Sequence, residues 1–354
     1  MSYGQKQALK NVNLEIKESE FTCILGPPGA GKTTLLRAIA GLEPIDAGRI
    51  LFDDTDVTNL PPNKRNVSMI FQNLALYPNL NVYDNIANPL KLAKLPKTEI
   101  DDKVKEVADL LRISGLLDRK TWQLSGGEMQ RVAIARAFVR KADAYLMDEP
   151  LVNLDFKIRE DMRAECKRLC SVLNKTIVYA TPDPIDAFSM ADHLAVLLNG
   201  EINQTGDVDD IYRKPVNSRV GMYLGAPPMN IVDCDITRKN GGCYLETAGF
   251  ATDVTKFYDL LNGIQGTIKV GIRPEHLVIS EEKNGNISGK IFLEERIGSD
   301  IIVHVRAGNE LIKVFAPHSA NYSPGRTGQS INLSFDVNEI YLFSKDGDRL
   351  IKGI

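Results

Sequence analysis

Between Gly26 and Thr34 the sequence reads Gly-Pro-Pro-Gly-Ala-Gly-Lys-Thr-Thr, and Gly26-x-x-x-x-Gly31-Lys32-Thr33 fits the phosphate-loop spacing. Glycines at 26, 29 and 31 permit the dihedrals that aim several backbone N–H groups at one anion. A helix beginning near Lys32 adds the positive end of its dipole. Lys32 supplies a full charge for β- and γ-phosphates, and the Thr33 hydroxyl is suited to Mg²⁺. Taken alone, the stretch is also compatible with an ordinary glycine-rich strand-to-helix turn. The apolar run Phe21 to Leu25 before it and the helical pattern after it favour the phosphate reading.

Two further clusters lie downstream. The apolar run Ala144-Tyr145-Leu146-Met147 delivers adjacent carboxylates, Asp148 and Glu149, and then Pro150. Alternation along a strand sends neighbours to opposite faces, which predicts different jobs for the two. Asp148 suits Mg²⁺; Glu149 suits orienting or deprotonating a water. An acidic pair at a strand end is often only solvated, and it is the phosphate loop upstream that gives this pair a catalytic reading. In Leu124-Ser125-Gly126-Gly127-Glu128-Met129-Gln130-Arg131, Ser125 can cap a helix whose first N–H groups the glycines expose. By itself that is a helix cap with a flexible approach, or a second anion site. Gln72, after Val67 to Phe71, reads by itself as an exit-loop residue.

The elements that must hold these residues follow from periodicity. Short strands are predicted at 12–16 (apolar Val12, Leu14, Ile16), 21–25, 48–52, 67–71, around 144–148, 176–181 and 194–198, with helices at 33–41 and 206–212. From about Val82 to Phe138 the pattern is helical, and Val104, Val107, Ala108 and Leu111 mark one amphipathic face. Beyond about Pro227 the composition changes to many short strands separated by turns such as Lys283-Asn284-Gly285-Asn286 and Lys345-Asp346-Gly347-Asp348. This is an all-β pattern, read as a small barrel. The expected architecture is an α/β phosphate-loop domain over residues 1–229 with a helical subdomain at about 82–138, then a β-barrel domain over 230–354.

Composition narrows the class. The chain has 354 residues, 43% hydrophobic and 25% charged, with a net charge of −3, which argues against a nucleic-acid partner. No apolar run approaches the roughly 20 residues of a membrane span, and Met1 to Lys10 is too polar for a signal peptide. Five cysteines without framework spacing read as free thiols in a reducing compartment. Cys166 and Cys170, four apart on a helix, read as packing residues.

Together the motifs resemble the ATP-binding subunits of ABC transporters, over nearly the whole chain. Leu124-Ser125-Gly126-Gly127 followed by Leu146-Met147-Asp148-Glu149-Pro150 carries the resemblance. Pro228-Met229-Asn230, Gly271-Ile272-Arg273-Pro274-Glu275-His276-Leu277 and Ile340-Tyr341-Leu342-Phe343 are similar to the sugar-importer subgroup, whose second domain is an oligosaccharide-binding-type regulatory barrel. The resemblance implies ATP and Mg²⁺ as ligands. It implies adenine stacking on Tyr3 and phosphates cradled by Gly26, Pro27, Pro28, Gly29, Ala30, Gly31, Lys32, Thr33 and Thr34. Gln72 would sense Mg²⁺ and water, with Leu74 to Tyr83 meeting the permease. Ser125, Gly126 and Gly127 would bind the γ-phosphate of a partner subunit's ATP. Asp148 would serve the metal, Glu149 would be the catalytic base, and Asp155 of Asn153-Leu154-Asp155 would cross the dimer interface. The implied setting is the cytoplasmic face of a membrane, with integral-membrane permeases and, indirectly, an extracytoplasmic solute-binding protein. The implied solute is a sugar, polyol or glycerol-phosphate compound. A soluble ABC ATPase of repair or translation would carry coiled-coil or tandem insertions that are missing here. A phosphate-loop kinase would not need the signature.

Three positions and the N-terminus depart from the family. Its switch histidine is replaced by Pro182, in Tyr179-Ala180-Thr181-Pro182-Asp183-Pro184, and proline has no side-chain donor and no N–H. His193 is expected to open the next strand and not to substitute. Slow hydrolysis at the chain's own site, and pairing with a second, fully equipped ATPase subunit, is the expectation. The alternatives are a homodimer in which Thr181, Asp183 or water fills the gap, and a largely non-catalytic regulatory subunit. Glu128 stands where glutamine is usual, and Val152 where a small residue is usual. Only Met1 and Ser2 precede Tyr3, so either an edge strand is missing or the natural start lies upstream.

Overall fold

Phe21–Leu25 is buried at every residue because parallel strands flank both its edges, Ile177–Thr181 on one side and His193–Leu198 on the other. The sheet runs Glu201–Gly206, His193–Leu198, Phe21–Leu25, Ile177–Thr181, Ala144–Asp148, Val67–Ile70. Only the first of these pairings is antiparallel. The computed structural model describes all residues except Gln5, Asn153, 281–285, Asn321 and Ile354, and all side chains except also those of Leu169, Cys170, Ser171, Leu173 and Ser319.

The helix after the central strand, Lys32–Ala40, buries Leu35, Leu36, Ala38 and Ala40 and stops at Gly41, which takes φ 74°. A residue that periodicity does not reveal closes this helix. Arg65 donates to the carbonyls of Ala38 (2.7 Å) and Ile39 (3.0 Å), and also to Leu60 and Thr58. A cation on the last carbonyls complements the negative helix end. Burial pulls its guanidinium below the usual value.

The helical stretch resolves into Val82–Leu92, Lys97–Leu110 and Gly126–Phe138. Val104, Val107, Ala108 and Leu111 are buried along one face, as the spacing predicts. Two short elements differ from expectation. Val12, Leu14 and Ile16 pack against the α/β core but form no ladder, so their alternation reports burial without pairing. The strand expected over 48–52 is reduced to Leu51–Phe52, paired with Thr55–Asp56.

The chain divides into two compact units, Met1–Val208 and Asp209–Ile354. The division falls before the composition change because residues 209–229 are tied to strands of the second unit. Arg273 is fully buried there, its guanidinium 3.4 Å from the Tyr212 ring centroid. It donates to the carbonyls of Leu224 (2.8 Å) and Tyr212, so a cation with no carboxylate partner among the described residues ties both ends of 209–224 to the strand ending at Ile272. Tyr212 in turn donates its hydroxyl to Glu275.

Among the described residues the second unit is an eleven-stranded antiparallel sheet around one apolar core, and is all-β as expected apart from short helices. Asn230–Lys239 alternates inward Val232, Cys234 and Ile236 with outward Asp233 and Asp235, the signature of a one-sided sheet. The Lys345–Asp348 turn is present, with Gly347 at φ 79°. The turn expected at Lys283–Asn286 lies mostly outside the described residues. Cys23, Cys166, Cys234 and Cys243 are buried free thiols, and the side chain of Cys170 lies outside the described set.

Candidate functional site

The phosphate loop is shaped by close approaches as much as by turn chemistry. A Cβ on Gly26 would sit 2.2 Å from the Leu197 carbonyl oxygen, so only glycine fits the strand end. Gly31 takes φ 107°, and a Cβ there would lie 2.7 Å from the Ala8 carbonyl oxygen. Gly29 faces open space. No side chain caps the start of Lys32–Ala40, which leaves its first-turn N–H groups, those of Lys32, Thr33 and Thr34 among them, available to an anion. Pro27 and Pro28 have no N–H, and Ala30 donates its own to Pro27 (3.1 Å). These three residues therefore shape the cradle, while Gly29, Gly31, Lys32, Thr33 and Thr34 carry its donors.

Both carboxylates face this loop. Asp148 ends its strand buried, and Thr33 Oγ1 donates to its Oδ1 at 2.9 Å. Desolvation raises its pKa, and the neighbouring Glu149 adds to the shift; the Thr33 hydrogen bond opposes it. The expectation of opposite faces fails at Glu149, which lies just past the strand and takes φ 45°. That left-handed turn swings its side chain to Lys32, 3.0 Å away. Gln72 Nε2 stands 3.5 Å from the other Glu149 oxygen. Lys32 Nζ also donates to the carbonyls of Gly26 (2.7 Å) and Pro27 (3.1 Å). An arriving phosphate would compete with Glu149 for Lys32. Glu149 would then be released towards Gln72.

Among the described residues no group of three or more His, Cys, Asp or Glu side chains could by itself hold a metal ion. One hydroxyl, one buried carboxylate and one amide are instead the donors expected for a Mg²⁺ that arrives on phosphates and keeps several waters. Thr33, Asp148 and Gln72 fit that role.

The signature forms the start of Gly126–Phe138. Ser125 Oγ accepts from the Glu128 N–H (3.3 Å), and Glu128 Oε2 accepts from the Ser125 N–H (2.7 Å), a reciprocal capping box. The hydrogen bond from the Ser125 N–H is the main cause holding the Glu128 carboxyl below its usual value, with Arg119 and Arg131 assisting. Cβ atoms on Gly126 and Gly127 would meet Leu154 at 3.4 Å and Ile158 at 2.9 Å, so the signature packs on both sides of Asp155. Asp155 is exposed and accepts from the Ile158 N–H at 3.0 Å. Asn153 lies outside the described residues. Among the described residues no hydrogen bond or ion pair joins Ser125–Gly127 to residues 26–34 of the same chain.

Around Pro182 the neighbouring side chains are already committed. Thr181 Oγ1 donates to Asp186 (3.0 Å) and accepts from the Asp183 N–H (3.1 Å). Asp183 accepts from the Ile185 N–H (2.9 Å) and pairs with Arg159 (3.3 Å). His193 is in register with Thr22, near the far end of the central strand from the loop. Tyr3 is exposed on a two-strand hairpin whose base, Ala8 and Leu9, bonds Met1 and packs beside Gly31.

Two positioning arginines escaped sequence reading because nothing local announces their partners. Arg159 joins Asp183 to the carbonyl of Val152 (2.8 Å), tying the stretch after Glu149 to the one after Pro182. Arg136, on the signature helix, donates 2.7 Å bonds to the consecutive carbonyls of Leu74 and Ala75. Those residues take φ 60° and 46°, an uncommon backbone for non-glycine residues that the guanidinium fork holds in place just after Gln72.

Five parallel strands, a glycine loop opening a helix at Lys32-Thr33, and a strand-end carboxylate bonded to that threonine define a phosphate-loop nucleotide-binding protein. The family profile described as ABC transporter matches residues 9–152, that of the MalK OB fold domain residues 225–277, and that of the TOBE domain residues 270–343. The trehalose/maltose import ATP-binding protein MalK of Thermococcus litoralis is 40% identical over 99% of this chain and 96% of its own length. The sn-glycerol-3-phosphate import ATP-binding protein UgpC of Bordetella avium is 36% identical over 99% and 96%. The solved dimeric post-hydrolysis state of the ATP-binding cassette MJ0796, bound to ADP and Pi, superposes with TM-score 0.53 at 31% identity, covering 59% of this chain and 94% of that one. The chain belongs to the ABC transporter ATP-binding family, with a second unit of the MalK type. No helix among the described residues is long and apolar enough to cross a membrane.

Proposed function

We propose that this chain is the ATP-hydrolysing subunit of an importer for a carbohydrate, polyol or glycerol-phosphate solute, working at the cytoplasmic face of a membrane on integral permease subunits. The solute class rests on the relatives' names, which include trehalose/maltose, sn-glycerol-3-phosphate and, for a Vibrio cholerae protein, maltose/maltodextrin. An extracytoplasmic binding protein would deliver the solute. The observation that carries the ATPase reading is the convergence of Lys32, Thr33, Gln72, Asp148 and Glu149 on one loop.

In the proposed cycle Tyr3 stacks on adenine, and the N–H groups of Gly29, Gly31, Lys32, Thr33 and Thr34 with the Lys32 ammonium take the phosphates. Mg²⁺, held by Thr33, Asp148 and Gln72, would neutralise charge on the β- and γ-oxygens. Glu149, displaced from Lys32, accepts a proton from the attacking water that Gln72 orients. Ser125–Gly127 of the opposing subunit close on the γ-phosphate, with Asp155 crossing the interface. ATP then acts as the glue of a dimer, and hydrolysis parts it. The want of any hydrogen bond or ion pair between signature and phosphate loop among the described residues of one chain agrees with this division.

Proline at 182 adds an asymmetry. Thr181 and Asp183 have other partners, which leaves the position without an evident substitute donor and favours slow turnover of the ATP held on this chain's own loop. Pairing with a second, fully equipped ATPase subunit follows, the signature here completing the faster site. A largely regulatory ATP-binding subunit is the second reading that the same proline supports. Co-purification with two polytopic permeases, followed by site-resolved ATP turnover and uptake of labelled maltose, trehalose or glycerol-3-phosphate, tests all three statements. Failure to associate with any permease would overturn the transport reading.

A further inference from the structure

We propose that Glu128 acts as a charge brake on ATP-driven pairing. Its carboxylate, fixed in the first turn of the signature helix, weakens the grip of Ser125–Gly127 on the terminal phosphate of a nucleotide held by the opposing subunit. The proposal deepens the sandwich reading above and rests on it.

The geometry carries the argument. A helix start attracts an anion through its unpaired N–H groups and its dipole. Here one anion of the chain itself is already installed. Glu128 Oε2 holds the Ser125 N–H at 2.7 Å, and the Glu128 N–H donates to Ser125 Oγ at 3.3 Å. What remains for a phosphate is the Ser125 hydroxyl proton and the N–H groups of Gly126 and Gly127. Those donors lie within one helical turn of the carboxylate, a span of about 5 Å. The capping box itself needs only an acceptor at this position, which glutamine supplies as well as glutamate. The charge is therefore separable from the fold.

The surroundings keep the charge present but accessible to ions. The Ser125 N–H, Arg119 and Arg131 favour the ionised carboxyl. Beside it opens a hollow of about 420 Å³ whose lining includes Arg112, Arg131, Asp161 and the signature residues. Water and salt reach Glu128 through that hollow, so repulsion between its carboxylate and the phosphate is of the screened, salt-sensitive kind. Two like charges about 5 Å apart at a wet protein surface change an association constant by on the order of ten-fold.

The test uses the full chain carrying Glu149→Gln, a change expected to keep ATP unhydrolysed, with and without Glu128→Gln. Pairing driven by Mg-ATP is followed by sedimentation across protein concentration at low and at high salt. Each copy bears both a phosphate loop and a signature, so a symmetric pair reports on the contact. The symmetric pair holds two such contacts, so the added Glu128→Gln is expected to tighten pairing by about ten-fold for each, about a hundred-fold in all, at low salt, and the gain to shrink as salt rises. Equal pairing at both salts, or weaker pairing, overturns the brake while leaving the sandwich intact. Neither protein pairing in ATP, alone or mixed with the ATPase subunit that co-purifies with it, overturns the sandwich reading itself, a result distinct from the first.

Discussion

Replacing Pro182 with histidine is the change on which the slow-site reading depends. Residue 182 follows directly on Thr181, whose carbonyl accepts the Gly26 N–H at 3.2 Å, so a side chain there leaves the backbone beside the first residue of the phosphate loop. Proline offers that location no donor. Nor can its neighbours turn to help without loss. Freeing Thr181 would break bonds to Asp186 and Asp183 in a fully buried position, and freeing Asp183 would uncap Pro184–Met190 and unpair Arg159. One oriented donor to transition-state charge is worth about 10²–10³ in rate, or about 2.7–4 kcal/mol. Pro182→His should therefore raise the maximal rate of phosphate release by up to that factor, with a much smaller change in the ATP concentration for half-saturation. Loss of the proline costs about 0.4–1 kcal/mol of stability through the unfolded chain, a modest fall in melting temperature. The assay is steady-state phosphate release by the purified chain at saturating Mg-ATP, with Glu149→Gln as the baseline. A native rate already far above that baseline, unchanged by Pro182→His, would refute the reasoning.

Other consequences follow from the same contacts. Glu149→Gln should abolish turnover yet tighten ATP binding several-fold by equilibrium dialysis, because the carboxylate no longer competes for Lys32 at 3.0 Å. Asp148→Asn should raise the melting temperature at neutral pH while abolishing Mg²⁺-dependent ATP binding. With the folded pKa raised, the native state holds its proton more tightly than the unfolded one. That contribution is complete below the unfolded value, near the 3.8 of an ordinary aspartate, and is lost as pH rises through the folded value, so the stabilisation by Asp148→Asn should vanish on acidification. Arg65→Ala strips a buried donor from four carbonyls and should destabilise the chain by about 3 kcal/mol in denaturant titration, with the phosphate-loop helix exchanging hydrogen faster. Arg136→Ala should release Leu74 and Ala75 from their left-handed backbone and lower permease-stimulated turnover more than basal turnover, read from the ratio of the two rates in the assembled transporter.

The sequence by itself determined the parts whose causes are local. Spacing at Gly26–Thr34, apolar runs at 21–25, 144–148 and 177–181, and the Ser125 cap are short-range patterns, and each fell within a residue or two of its expected place. The convergence of Thr33 with Asp148 followed from parallel strands that end on the same side. Tertiary structure alone decided the rest. Glu149 was assigned to the wrong face because strand alternation stops where the backbone turns left-handed, one residue past the ladder. Val12 to Ile16 alternate as a strand does, yet burial of every second side chain does not require a hydrogen-bonded neighbour. Arg65, Arg136 and Arg273 each hold carbonyls of segments distant in sequence, and Arg159 joins the nearby Val152 carbonyl to the distant Asp183 carboxylate. An arginine's partners are fixed by which backbones pass within reach of its fork, and no local periodicity records that; it took the packed chain to show that a guanidinium anchors residues 209–224 and another the loop after Gln72.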